Sequence, residues 1–325
     1  MKSILYQAYG SPDVLRLVDT EIPLPQASEV LIAVAAASVN PLDWHFLRGQ
    51  PYLMRAFTGV AKPKDTRLGV DVAGTVAAVG TGVTQFKVGD RVLGIARAAF
   101  ADFACAQEKN LAAMPSNLDF QQAASVPLAA LTALQGLRDA GRIQAGQRVL
   151  INGAAGGVGT FAVQIAKAFG AHVSAVCSTR NVAMVYRCGA DRVLDYRDAN
   201  FTLGVQRFDL ILDCVGNDTL SACKKALSPI GRLVLVGGPD GKWLEPITRA
   251  LQAKCFFAFS RQSVTPLLTS LAQSRSDLVQ LTALIQAAQL KPVLDRSYPL
   301  RATADALRYL ETRRAQGKVT INILT

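Results

Sequence analysis

Two patterns of apolar positions divide the chain. Over residues 29–39, 70–79 and 91–95, Val- and Ala-rich runs bounded by Gly, Pro, Asp or Asn predict β-strands. Lys87-Val88-Gly89-Asp90 reads as the turn that delivers the chain into the third of them. Beyond Pro115 the pattern changes. From about Gln121 onward, short apolar strands over 148–154, 172–177, 192–196, 208–215, 232–238 and 255–259 alternate with helical stretches. The helix over 158–169 carries Phe161, Ile165 and Phe169 at four-residue spacing, and further helices are expected over 181–188 and 220–227. Alternation of this kind signals βαβ crossovers and a doubly wound parallel sheet, an α/β fold. The last part predicts helix 277–288, strand 292–295, helix 303–315 and strand 318–323, the final strand rejoining the N-terminal β region. One domain is therefore expected to be discontinuous, over 1–122 and 266–325, around a nucleotide-binding insert over 123–265.

Composition narrows the class. With 325 residues, 50% hydrophobic and 18% charged, the chain carries enough apolar material for two cores. Its longest clean apolar run, 30–37, falls far short of the roughly 18 residues that a membrane span requires. The N-terminal segment has no apolar core of a leader, so a cytoplasmic protein is expected. The formal charge of +11 comes from scattered Lys and Arg, with no basic stripe interleaved with aromatics, which argues against nucleic acid and suits an anionic small ligand. Six cysteines include no C-x-x-C pair, and only His45 and His172 offer imidazoles. That set assembles no zinc ribbon or His-rich metal site; the cysteines read as small packed hydrophobes.

The strongest chemical signal is the run from Val149 to Thr160, where Ala154, Gly156 and Gly159 fall at A-x-G-x-x-G spacing between a strand and a helix. Ala155, Gly156, Gly157, Val158 and Gly159 form the turn. Gly156 lets the backbone approach a pyrophosphate, Gly159 lets helix and strand pack closely, and the helix N-terminus offers free N–H groups to the anion. The second strand, over 172–177, completes the context for a dinucleotide.

An NAD site places an acid at the end of that second strand. Here the sequence is Cys177-Ser178-Thr179-Arg180-Asn181. Ser178, Thr179 and Arg180 instead offer hydroxyls and a guanidinium to a 2′-phosphate, so NADPH is favoured over NADH. Ser178 and Thr179 also suit the N-cap of the next helix, and both roles can hold at once. Tyr196, ending the next strand, is placed to stack on adenine or touch the phosphate; an ordinary strand-end tyrosine reads the same.

Taken in order, Ala37-Ser38-Val39-Asn40-Pro41-Leu42-Asp43, Gly69-Val70-Asp71-Val72-Ala73-Gly74, Val88-Gly89-Asp90-Arg91-Val92, Ala130-Leu131-Thr132-Ala133, the glycine turn, Asp213-Cys214-Val215-Gly216, Val236-Gly237-Gly238 and Gly317-Lys318-Val319 resemble the medium-chain dehydrogenases/reductases. The likeness is to their zinc-independent quinone oxidoreductase branch, including the reticulon-interacting type, and runs over essentially the whole length. It implies a GroES-like catalytic domain beside a Rossmann cofactor domain. Zinc-using relatives carry Cys where Asn40 stands and Gly-His-Glu where Gly69-Val70-Asp71 stands, so the resemblance implies no catalytic zinc.

Without a Lewis acid to hold an alkoxide, hydride transfer needs an acceptor that is already electrophilic, such as a quinone or an α,β-unsaturated ketone. The resulting anion then needs a hydrogen-bond donor and a proton. The resemblance offers Asn40, at the lost ligand position, Tyr52, resembling a tyrosine over the nicotinamide, and Asp43 for that help. It places Thr132 near the nicotinamide and phosphates, Val236 and Gly238 as cofactor contacts at the fifth strand's carboxyl end, and Lys318 facing the cofactor. The loop over 51–66 is expected to line the substrate mouth. Two other functions share these features: an alcohol or carbonyl dehydrogenase, and an NADPH-binding protein with little turnover. The apolar strand expected over 255–259, left at a sheet edge, predicts pairing into a homodimer.

Overall fold

The computed structural model describes residues 1–238, 247–272 and 274–323. Its chain separates into two compact units, one built from Met1–Leu131, Leu271–Ala288 and Pro292–Thr325, the other from Thr132–Ser270 and Gln289–Lys291. These boundaries lie nine residues after 122/123 and five after 265/266, because the apolar helix Pro127–Gln135 straddles the first of them.

Among the described residues the first unit is built on a seven-stranded sheet and a small two-stranded one. Strand Glu29–Val39 is its spine: it pairs antiparallel with Asp71–Val79, with Phe103–Gln107 and, through residues 36–39, with Lys318–Asn322. The last strand does rejoin the N-terminal region, with Val319 opposite Val39. Val30, Ile32, Val34, Val72, Val76, Phe100 and Ile321 fill the core beneath. Helix Pro41–Arg48, not among the expected elements, follows the spine at once. Its local grammar is complete: extended Asn40 at the N-cap, Pro41 in the first turn, Asp43 as the capping acid and left-handed Gly49 behind the last turn.

The second unit is the expected parallel sheet, six-stranded among the described residues. Its order is Arg192–Asp195, His172–Cys177, Arg148–Asn152, Phe208–Asp213, Leu227–Leu235 and Ser263–Pro266. The chain order reverses between Arg148–Asn152 and Phe208–Asp213, the crevice where doubly wound sheets bind ligands. One expected strand is wrong. Residues 255–257 end helix Ile247–Phe257, and Ala258 and Phe259 follow it. Ala253 and Phe257, four apart, are buried, whereas Phe259 is wholly exposed. A short apolar run looks alike as strand or helix end, and packing decided for the helix. Among the described residues that edge of the sheet is Ser263–Pro266 instead, so the homodimer expectation loses the strand on which it stood. No helix among the described residues is long and apolar enough to cross a membrane.

Candidate functional site

In the second unit the glycine turn has the form that a dinucleotide requires. Gly153 takes φ +82°, and Gly156 N–H donates to Gly153 O at 3.2 Å. A Cβ on Gly159 would stand 2.2 Å from Gly153 O and 2.7 Å from Ala154 Cα, so only glycine lets helix Gly157–Ala168 sit this close to the turn. A Cβ on Gly156 would meet nothing nearer than 3.6 Å, leaving open space over its backbone. Space above one glycine and tight packing behind the other fit a pyrophosphate at the helix N-terminus. Ala155 lies buried within the turn, and Gly157 and Val158 open the helix half-buried.

At the end of the second strand, Ser178 is buried and its hydroxyl accepts from Asn181 Nδ2 at 3.1 Å. Ser178 sits at the N-cap of the short turn Thr179–Asn181 without a side-chain capping bond. Thr179 and Arg180 are exposed there, and Tyr196 is 57% exposed. An acid does stand nearby, brought in by the neighbouring strand. The Thr179 hydroxyl donates to Asp195 and holds that carboxyl below its usual range, with Arg197 N–H adding a bond at 3.0 Å. Strand pairing, with Asp195 opposite Cys177, makes this contact, and no local spacing announces it.

The crevice between the central strands has its own hub, absent from the sequence reading. Asp213 Oδ1 accepts from Asn152 Nδ2 at 2.9 Å, Val215 N at 3.1 Å and Gly216 N at 2.8 Å. Asn152 Nδ2 also donates to Asn217 Oδ1 at 3.0 Å, and Arg249, 3.7 Å from Asp213 Oδ2, donates to Asp218 O at 2.7 Å. The Asp213 backbone carbonyl accepts from Val236 N and Gly237 N at 2.9 and 3.1 Å, fixing the stretch that carries Val236 and Gly238. Thr132 shares a hydrogen bond with Thr269, Oγ1 to Oγ1 2.8 Å.

In the first unit the structure joins three of the expected residues into one buried network. Lys318 Nζ donates to Asn40 Oδ1 at 2.5 Å, to Asp71 Oδ2 at 3.2 Å and to Val39 O at 3.4 Å, so its three N–H groups have three acceptors inside the unit. Asp71 Oδ2 also accepts from Ser38 Oγ at 2.7 Å and Asn40 Nδ2 at 2.9 Å, while Oδ1 accepts from Leu128 N at 2.8 Å. The Lys318 ammonium, 4% exposed, is bonded into this network. Asn40 has its amide nitrogen on Asp71 and on Ser38 O at 3.3 Å, so it ties the network together.

Asp43 lies against the same cluster. Its carboxylate accepts from Asn40 N at 2.7 Å and Gly69 N at 3.1 Å, stapling helix Pro41–Arg48 to the turn before strand Asp71–Val79. Burial pushes this carboxyl up to about 7 and the Asp71 charge adds to the rise, against the pull of the two N–H groups and Lys318. Tyr52 opens the turn Tyr52–Met54, half-buried, with the Arg55 guanidinium 4.6 Å over its ring. Among the described residues no three His, Cys, Asp or Glu side chains converge as metal ligands.

Comparison with known proteins covers both units. Residues 26–120 match the family model described as alcohol dehydrogenase GroES-like domain, and residues 188–321 match zinc-binding dehydrogenase. The chain is 31% identical to the chloroplast envelope quinone oxidoreductase homolog of Arabidopsis thaliana, over 99% of this chain and 98% of that protein. It is 34% identical to the NADPH-dependent alkenal/one oxidoreductase of the same plant, over 99% of this chain and 79% of the relative. The solved quinone oxidoreductase of Coxiella burnetii superposes with a TM-score of 0.88 at 31% identity, covering 99% of each chain.

Proposed function

The chain belongs to the zinc-independent quinone oxidoreductase branch of the medium-chain dehydrogenases/reductases and is an oxidoreductase, and we propose that it reduces quinones or α,β-unsaturated carbonyl compounds with NADPH. The observation that carries this reading is the glycine turn: open backbone at Gly156, enforced packing at Gly159 and a helix N-terminus behind them. NADPH supplies the hydride when bound. Gly156, Gly157, Val158 and Gly159 hold the pyrophosphate with backbone N–H groups. Ser178, Thr179, Arg180 and Tyr196 face the 2′-phosphate side, and Arg180 supplies its cation. Thr132, Val236 and Gly238 border the nicotinamide end. In the catalytic unit Tyr52 presents a hydroxyl to the substrate oxygen. Asn40 and Lys318 act through Asp71, keeping the end of strand Glu29–Val39 and the head of helix Pro41–Arg48 in fixed register.

An electrophilic acceptor suits these side chains. Its anion after reduction is spread over a conjugated system and asks only for a hydrogen bond and a proton. A catalytic unit over 1–131, 271–288 and 292–325 and a cofactor unit over 132–270 and 289–291 belong to the same reading, as does self-association through Ser263–Pro266, the edge strand among the described residues, which light scattering checks. The deciding assay follows NADPH and NADH oxidation with 1,4-quinones, enones, aldehydes and alcohols, before and after exhaustive chelation. Turnover of quinones or enones with NADPH, unchanged by chelation, is expected. Turnover confined to alcohols or aldehydes, or dependent on added zinc, overturns the reading.

A further inference from the structure

The stretch 52–64 of the first unit puts apolar side chains into water on a rigid base. Turn Tyr52–Met54 and helix Arg55–Thr58 run on without a break, so Leu53 and Phe57, four apart, share a face. Phe57 is 80% exposed, Val60 76% and Leu53 46%. A fraying loop would explain such exposure, but the base is tied. Tyr9 Oη donates to Gly59 O at 2.7 Å and lies 2.9 Å from Thr58 Oγ1, and Lys64 N donates to Thr58 O at 2.8 Å. The Arg55 guanidinium donates to Gly49 O at 3.0 Å and Arg48 O at 3.1 Å and lies over both the Tyr9 and Tyr52 rings. The apolar tip is a held projection.

Charge selects what it meets. From 44 to 64 the sequence has no Asp or Glu, while Lys62 and Lys64 are exposed beside the apolar tip, and the first acid beyond, Asp65, is paired with Arg67 at 3.0 Å. Exposed aromatic and aliphatic groups flanked by lysines, with no acid among them, are the pattern of an interfacial anchor on anionic lipid. A second copy of the chain is the poorer occupant. A two-fold contact sets this basic, acid-free tip against its own copy, and like charges repel. We propose that the 53–64 tip docks on an anionic bilayer, Leu53, Phe57 and Val60 entering the headgroup boundary and Lys62 and Lys64 pairing with lipid phosphates. That the docked enzyme takes up a membrane-dissolved quinone rests on the function proposed above; the docking itself does not.

The test sediments the full-length protein with vesicles of phosphatidylcholine alone and of an equal mixture with phosphatidylglycerol. Wild type should partition onto the mixed vesicles, be released by salt and leave pure phosphatidylcholine largely unbound. At about 1 kcal/mol for each cation near such a surface, Lys62→Gln and Lys64→Gln should each lower the partition coefficient roughly five-fold. Phe57→Ser should lower it by about ten-fold or more, with a thermal melt confirming the fold. Phe57→Trp gives a second readout. Its emission should shift to the blue on mixed vesicles and be quenched by brominated acyl chains, above the signal of the two native tryptophans. No partition, equal partition on both vesicles, insensitivity to Phe57→Ser, or oligomers that Phe57→Ser dissociates would each overturn the proposal. Failure to oxidise NADPH with a water-soluble quinone, in the absence of vesicles, strikes the enzymatic reading alone.

Discussion

Replacing Asp71 by Asn separates the charge of the buried network from its shape. Asp71 is fully buried and Lys318 nearly so, 3.2 Å apart. Removing the carboxylate charge leaves the ammonium with two neutral acceptors, Val39 O and Asn40 Oδ1, and no carboxylate bonded to it, Asp43 acting on it only without a hydrogen bond. Breaking a buried pair in this way costs about 3–5 kcal/mol. In a unit of this size 1 kcal/mol moves Tm by roughly 2–4 °C, so Asp71→Asn should melt roughly 6–20 °C below wild type. Lys318→Met should cost less, because Asp71 keeps three donors: the Ser38 hydroxyl, the Asn40 amide and Leu128 N–H. The double variant tests the coupling. If the pair is one electrostatic unit, its loss falls short of the sum of the single losses by about 1–3 kcal/mol in urea unfolding. Additivity to within about 0.5 kcal/mol, or an Lys318→Met variant less stable than Asp71→Asn, refutes the reasoning.

Other expectations follow from the same geometry. Gly159→Ala drives a Cβ into Gly153 O at 2.2 Å and should destabilise the second unit in a thermal melt, whereas Gly156→Val should leave Tm nearly unchanged and weaken NADPH binding by calorimetry. Arg180→Glu should cut the preference for NADPH over NADH by roughly ten-fold or more, as loss of a charge-assisted phosphate contact costs about 1.5–3 kcal/mol; an unaltered ratio of kcat/KM values removes Arg180 from the 2′-phosphate site. Asp43 holds its proton up to about 7 when folded, against an ordinary 3.8, so between those values the folded chain carries a proton that the unfolded chain lacks. Its contribution to stability therefore falls as pH rises through that window, by at most about 1.4 kcal/mol per pH unit, and levels off above. Asp43→Asn should flatten this slope in urea melts at several pH values, and a slope unchanged from wild type would place the titration elsewhere.

What the chain disclosed by itself depended on whether the partners were local. The glycine turn could be read because strand, turn and helix are consecutive, and Gly159 proves tight for the expected reason. Helix Pro41–Arg48 carried its capping signals in plain order, yet eight residues offer too little apolar periodicity to separate it from a turn. The 255–259 run misled for the opposite reason. Its apolar density is real, but burial of Ala253 and Phe257 at helical spacing is a tertiary fact. Asn40 and Lys318 were both singled out, but not the contact between them. The hydrogen bonds that occupy them join residues 278 apart in sequence and run through Asp71, a residue that served only as part of a motif. Asp213 too served only as part of a motif, and its contacts with Asn152 and Arg249 left no local trace, since two strand ends and a later helix bring them together.

The route of the chain through the sheet sets an order of assembly. All residues of the second unit, Thr132–Ser270 and Gln289–Lys291, are synthesised before strand Lys318–Asn322 has been made. The spine of the first unit, Glu29–Val39, then has Asp71–Val79 and Phe103–Gln107 beside it, while residues 36–39 still lack their partner. At about 5–20 residues per second the wait lasts seconds. Throughout it an apolar strand edge stands open and Asp71 has no ammonium within reach. The domain begun first is finished last, and Lys318 arrives with the strand that closes it, joining charge neutralisation to sheet completion in a single late step.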